Sequence, residues 1–129
     1  QVLDIACQII NPLALFISRR KAGIAALIGG ERVESPGITR YNDTDYAMQG
    51  RVTCEAIERF DIVCSHVESP DEASHQGDWR TKVAGIEAID QHVVGPVTEH
   101  LRRRHGDGWR LLIMPDHYTL VSTRKHDAT

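Results

Sequence analysis

Two short strings combine aspartate with histidine and are the residues of this chain best suited to chemistry. The first places Asp71 and His75 four positions apart, and the second places Asp116 directly before His117. Residues four apart on a helix share a face, so Asp71 and His75 could both reach one ion. Mixed carboxylate and imidazole donors favour Mn²⁺, Zn²⁺ or Fe²⁺ over Ca²⁺. The strings indicate a divalent metal site, which His126 could join if the loop before it folds back.

An apolar run precedes each string, and a long helical pattern joins the two. We expect strands over residues 61–67 and 110–114, in an α/β fold with a mostly parallel sheet flanked by helices. The strands of a strand–helix–strand unit run parallel, so both strings would meet at one edge of the sheet. Two divalent ions ~4 Å apart at such an edge are typical of phosphoryl transfer. The alternative stays open that Asp71 and His75 lie on a solvated helix face and that Asp116 caps a helix.

Local signals predict where the other elements begin and end. Ser69 is the expected N-cap of a short helix that Gly77 ends, and Asp78 is expected to cap a helix over residues 79–105 that Pro96 kinks or breaks. Upstream we expect helices over residues 2–10, 22–28 and 46–60, a strand or helix over 13–17, a short strand over 31–35 and a loop over 36–45. The apolar face of the long helix is expected to comprise Val83, Ile86, Ile89, Val93, Val97 and Leu101.

Composition limits the class of protein. The 129 residues suffice for a single domain over 1–129, and a net charge of −3 gives no basic excess for nucleic acid. No apolar run approaches the ~20 residues that span a bilayer, and the first residues have no basic region typical of a signal peptide. The cysteines Cys7, Cys54 and Cys64 have no paired spacing, which predicts buried free thiols in a reducing cytoplasm.

Other polar and aromatic residues have ordinary explanations beside functional ones. His66 is expected to be a satisfied core histidine, with support of a metal ligand as the alternative. Glu68 is expected to be a surface carboxylate, with the orientation of a ligating imidazole as the alternative. Trp79 and Trp109 are expected to be packing anchors, and Cys64 a core residue. The histidines along the long helix are predicted to be solvated: His92, His100 and His105.

Residues 65–78 resemble the H-V-x-x-P-D-E-A-x-H-x-G-D signature of archaeal-type cofactor-independent phosphoglycerate mutases, which belong to the alkaline phosphatase superfamily. The match continues in Lys82, in V-V-G-P at residues 93–96 and in L-I-M-P-D-H at residues 112–117. Residues 36–46 are similar to the family's P-G-A-T-G-Y-x-D-T-N-Y stretch. Several motifs thus occur in the family's order over residues 21–129.

The resemblance implies a site with two divalent metal ions, Mn²⁺ in the first place and Zn²⁺ as the alternative. Asp71, His75 and His126 would hold one ion, and Asp116 and His117 would contribute to the second. It also implies the interconversion of 3- and 2-phosphoglycerate in glycolysis, through a phosphoserine intermediate. Phosphoglycerate would be the partner of the full-length enzyme, in the cytoplasm. A partial sheet would expose apolar edges and faces that are normally covered, so a homo-oligomer is expected. Neither nucleic acid nor a membrane is an expected partner.

Part of the family pattern has no counterpart here. Lys21 or a neighbouring arginine corresponds to a family lysine that contacts the substrate phosphate, but residues 1–20 match neither the nucleophilic serine nor the D-G-x-G-D aspartate. We therefore expect the carboxyl-terminal part of a larger metalloenzyme domain, inactive by itself. Two alternatives remain: a related phosphotransferase of the homoserine kinase-like type, and a degenerate non-catalytic domain.

Overall fold

The computed structural model of the chain describes residues 13–16, 27, 29–33 and 35–127. The helices expected over residues 2–10 and 22–28 fall wholly or mostly outside these residues, as do Cys7 and Lys21. In chain order the elements are β1 (Leu13–Phe16), β2 (Glu31–Val33), α1 (Tyr46–Ile57), β3 (Ile62–Cys64), α2 (Ser69–Gln76), α3 (Trp79–Ile89), a π-helical turn (Asp90–Val94), α4 (Gly95–His105), β4 (Tyr118–Leu120) and β5 (Lys125–Asp127).

The described strands form two small sheets. In the first, β1 lies between β2 and β3, and it pairs in parallel with both, so that Ala14 stands opposite Glu31 on one side and Val63 on the other. In the second, β4 and β5 form an antiparallel hairpin with Thr119 opposite His126. With the helices between them, these strands confirm the α/β class, and residues 13–16 form a strand, not a helix.

The start of α2 differs from the expectation by one position. Glu68 is the N-cap and makes no capping hydrogen bond through its side chain, while Ser69 is already helical. The reason is a tertiary contact: the buried Ser69 hydroxyl lies 2.7 Å from Tyr46 Oη and is not available to cap the helix. The end is as expected, at Gly77 with a φ of 77°, a conformation that glycine adopts at little cost.

The long helix predicted over residues 79–105 is interrupted. Asp78 caps α3 as expected, accepting a hydrogen bond from the Thr81 backbone N–H at 3.0 Å. The π-helical turn then separates α3 from α4, whose first turn contains Pro96. Proline has no N–H to donate within a helix but fits a first turn, so the break in the α-helical pattern comes just before Pro96 and α4 begins there.

The apolar core lies between α1 and the second half of the interrupted helix. Its largest cluster joins Tyr46 to Val93, Val97 and Leu101, and Trp109 packs against it. Smaller clusters form around Val52, Ala56 and Phe60, against Val33 and Val63. Trp109 is thus a packing anchor as predicted. Four expectations of burial are wrong, because these side chains are exposed: Val83, Ile86, Cys64 and Trp79.

The strand expected over residues 110–114 is not formed within the described part of the chain. These residues make no ladder with any described strand, and Leu112 is 79% exposed. A strand is stabilised by its neighbours, and none of the described strands lies beside this segment. The inference that two parallel strands bring Asp71 and Asp116 to one edge is therefore wrong as it was reasoned. No helix among the described residues is long and apolar enough to cross a membrane.

Candidate metal centre

Helix α2 presents the first acid–imidazole pair as its spacing predicts. Asp71 Oδ2 lies 3.4 Å from His75 Nε2, and both side chains are about one-third exposed. His75 Nδ1 lies 2.9 Å from the backbone carbonyl oxygen of Arg124, which can only accept a hydrogen bond. The proton of a neutral His75 therefore resides on Nδ1, and the lone pair on Nε2 faces Asp71. This is the tautomer that an imidazole needs to coordinate a metal through Nε2.

The β4–β5 hairpin brings His126 to the same place. His126 Nε2 lies 3.6 Å from Asp71 Oδ1 and 3.1 Å from His75 Nε2. Two imidazole nitrogens this close need a shared proton or a shared cation between them, since two lone pairs would repel. The hairpin turn holds this arrangement through Arg124, whose φ of 58° is uncommon for a residue other than glycine and whose N–H donates to Leu120 O at 2.7 Å.

Asp116 and His117 lie at a bend just before β4, and their side chains reach different partners. His117 joins the first group: one ligand atom from each of Asp71, His117 and His126 lies within 4.8 Å of the others, and the His117 and His126 ring centroids are 3.9 Å apart. Asp116 Oδ2 instead lies 3.5 Å from His66 Nε2, while its Oδ1 is 3.7 Å from His117 Nε2. The structure thus brings all five expected metal-ligating residues into one cluster, with Asp116 on the side of His66.

His66 and Glu68 lie at the border of this cluster. His66 Nδ1 is buried and has no hydrogen-bond partner among the described residues, so His66 is not the satisfied core histidine that was one expectation. Glu68 is mostly buried, accepts a hydrogen bond from Arg40 Nε at 2.9 Å and lies 4.0 Å from His66 Nδ1. A row of polar, partly buried side chains therefore leads from Arg40 through Glu68 and His66 to Asp116.

Sequence reasoning missed Thr119, which is 6% exposed and lies at the centre of the cluster. Its hydroxyl donates a short hydrogen bond to Asp71 Oδ1 and lies 3.2 Å from His117 Nδ1. Its backbone carbonyl accepts a hydrogen bond from Lys82 Nζ at 3.0 Å, which gives Lys82 a role that the motif match did not supply. The available signal was the spacing: residues 117 and 119 share one face of an extended segment.

The sequence of the chain is similar to those of curated phosphoglycerate mutases. The chain is 41% identical over 104 residues to the 2,3-bisphosphoglycerate-independent phosphoglycerate mutase of Methanothrix thermoacetophila, a match covering 81% of this chain and 26% of that protein. It is 39% identical over 104 residues to 2,3-bisphosphoglycerate-independent phosphoglycerate mutase 2 of Methanothermobacter thermautotrophicus, covering 81% and 25%. The chain thus spans about a quarter of the length of these curated relatives.

A solved structure and a family model extend the comparison. The PH0037 protein from Pyrococcus horikoshii shares the fold with a TM-score of 0.70 at 19% identity, covering 88% of this chain and 34% of that one. The relatives confirm the resemblance to cofactor-independent phosphoglycerate mutases that the motifs indicated. Residues 19–129 match the model of the Metalloenzyme superfamily, and the chain therefore belongs to that superfamily.

Proposed function

We propose that this chain is the metal-binding part of a cofactor-independent phosphoglycerate mutase, which interconverts 3- and 2-phosphoglycerate. The observation that carries the proposal is the convergence of Asp71 and His75 from α2, His126 from β5 and His117 from the bend before β4. The chain is also 41% identical over 104 residues to a protein named as such a mutase. The parallel pairing of β1 with β2 and β3 supports the finer proposal of a partial alkaline phosphatase-like sheet.

Two divalent ions, Mn²⁺ or alternatively Zn²⁺, fit the donors of the cluster. Asp71, His75 and His126 are proposed to hold one ion, and Asp116 and His117 to contribute to the second. The first ion is supported by the distances from Asp71 to His75 and His126, 3.4 and 3.6 Å, and by the His75 tautomer. His117 lies between the two groups, with a ligand atom within 4.8 Å of those of Asp71 and His126 and its Nε2 3.7 Å from Asp116 Oδ1. When bound, such ions neutralise negative charge on a phosphate group. His66, whose buried Nδ1 has no hydrogen-bond partner among the described residues, is proposed to orient Asp116.

The chain's own side chains fix the geometry of this cluster. Thr119 holds Asp71 by its hydroxyl, and the Arg124 carbonyl holds the His75 ring.

Lys21 is proposed to contact the substrate phosphate, by resemblance. Residues 1–20 offer no counterpart of the family's nucleophilic serine, so the 129-residue chain is proposed to bind metal without catalysing the interconversion. The cytoplasm and glycolysis are the proposed setting, again by resemblance.

Metal content tests the proposal directly. The purified chain is loaded with Mn²⁺, freed of excess ion by gel filtration and analysed for metal per chain. We expect His75→Ala to lose one equivalent of metal, whereas His92→Ala, a histidine outside the cluster, keeps it. Full metal content in His75→Ala would remove His75 from the ligand set. Measurable conversion of 3-phosphoglycerate by the purified chain would refute the proposal that it is inactive by itself.

A further inference from the structure

A second group of metal-ligating side chains lies at the far ends of α1 and α4. Glu58, the residue that follows α1, meets two histidines from the last turns of α4. Glu58 Oε1 lies 2.7 Å from His100 Nε2 and 3.4 Å from His105 Nε2. One ligand atom from each of the three lies within 4.8 Å of the others, and none of them belongs to the cluster around Asp71. Sequence reasoning had assigned both histidines to solvent.

The geometry is that of donors aimed at one point. Both imidazoles direct Nε2 at the same carboxylate oxygen, while Arg104 occupies the other oxygen at 3.1 Å. The three side chains are only 25–35% exposed, so water competes incompletely for their donor atoms. Hydrogen bonds from Arg104 and His100 lower the pKa of Glu58 to about 2, and the carboxylate is therefore ionised at neutral pH.

We propose that Glu58, His100 and His105 bind a divalent transition-metal ion, with Zn²⁺ the best match. Two imidazoles and one carboxylate are a zinc donor set that leaves a fourth position for water. To bind the ion through Nε2, each imidazole must present a lone pair there, which requires the neutral tautomer with its proton on Nδ1. The ion would join the carboxyl-terminal ends of α1 and α4, the two helices around the largest apolar cluster.

A simple ion-pair network is the competing explanation, because the same three side chains also satisfy each other without metal. The two explanations differ in how the stability of the protein responds to added zinc. A network of hydrogen bonds gives no dependence of stability on zinc, whereas a metal site gives a melting temperature that rises with zinc concentration.

The experiment uses the whole chain carrying Asp71→Asn and His126→Gln, which disables the first cluster. After zinc loading and gel filtration we expect one equivalent of zinc per chain and a higher melting temperature. Adding His105→Gln should abolish both effects, and so should Glu58→Gln, while the matched control His92→Gln should keep them. Circular dichroism verifies that each variant is folded before zinc is added.

Two results would overturn the proposal. One is a background protein that retains no zinc, and the other is a folded His105→Gln or Glu58→Gln variant that retains the full equivalent. Neither result bears on the mutase proposal, which depends on other residues. Conversely, loss of Mn²⁺ binding at the Asp71 cluster would leave the zinc result intact.

Discussion

Replacing Thr119 with valine should weaken metal binding without unfolding the chain. Valine keeps the β-branched shape of threonine, so the packing of this 6% exposed side chain is largely retained. The lost group is the hydroxyl that donates to Asp71 Oδ1 and lies 3.2 Å from His117 Nδ1. Thr119 touches no ion itself in this scheme and acts by positioning Asp71.

The size of the effect follows from the contact that is removed. A hydrogen bond to a charged group contributes about 1.5–3 kcal/mol. If that contribution is realised only when Asp71 is held in the ligating orientation, its loss raises the Kd for Mn²⁺ by about 10- to 100-fold, at about 1.4 kcal/mol per factor of ten. Removing outer partners of metal ligands typically weakens metal affinity by about the same factor.

Isothermal titration calorimetry with Mn²⁺ measures this change, in chains that also carry His105→Gln so that the second cluster does not contribute. Thr119→Ser is the matched control, because it keeps the hydroxyl and loses only a methyl group. We expect the serine variant to bind close to the parent and the valine variant to bind at least tenfold more weakly. A valine variant within twofold of the parent would refute the positioning role, as would a serine variant as weak as valine.

Three further predictions concern other parts of the chain. Gly50→Ala should destabilise the fold by about 2 kcal/mol in urea unfolding, because a Cβ there would lie 2.1 Å from the carbonyl oxygen of His92. This overpacking outweighs the higher helix propensity of alanine. A stabilised variant would contradict this contact. Burial raises the pKa of Cys54, so iodoacetamide followed by peptide mapping should label Cys54 more slowly than the exposed Cys64; equal rates would disprove it. A hydrogen bond from a threonine lowers the pKa of Asp78. The stabilisation from its capping is therefore fully present above the ordinary carboxyl pKa and is lost as pH falls through the lowered value. The difference in stability between the parent and Asp78→Ala should be largest at neutral pH and shrink in acid, and a difference independent of pH would rule this out.

Local chemistry was readable from the sequence, and features that depend on distant neighbours were not. The cap at Asp78 and the glycine at Gly77 follow from the residues themselves. Ser69 looked like a cap only because its contact with Tyr46, 23 positions away, was invisible in the sequence. An apolar run such as residues 110–114 predicts a strand, but its formation requires a neighbouring strand.

In the candidate metal cluster, too, some features followed from local sequence and others depended on distant residues. The four-residue step from Asp71 to His75 predicted their shared face, and the motif match indicated the other proposed ligands. The reason offered for their meeting was wrong, since no parallel strand precedes Asp116 in the described structure. It is the β4–β5 hairpin that places His126 across from Thr119 and beside Asp71. Hairpin register depends on turn geometry, which here includes the positive φ of Arg124. No sequence motif predicted this backbone conformation.

Within the described part of the chain, the hairpin contacts α2 and α3 mainly through polar groups at the cluster. Thr119 is the one buried residue within residues 118–127, and Tyr118 and Leu120 are exposed. Its connections run from Thr119 to Asp71 and Lys82, and from Arg124 to His75. Because there is little apolar burial to fix its position, a cation shared by α2 and the hairpin would supply the missing attraction. Metal binding and docking of the hairpin are then one equilibrium, in which each stabilises the other by the same free energy.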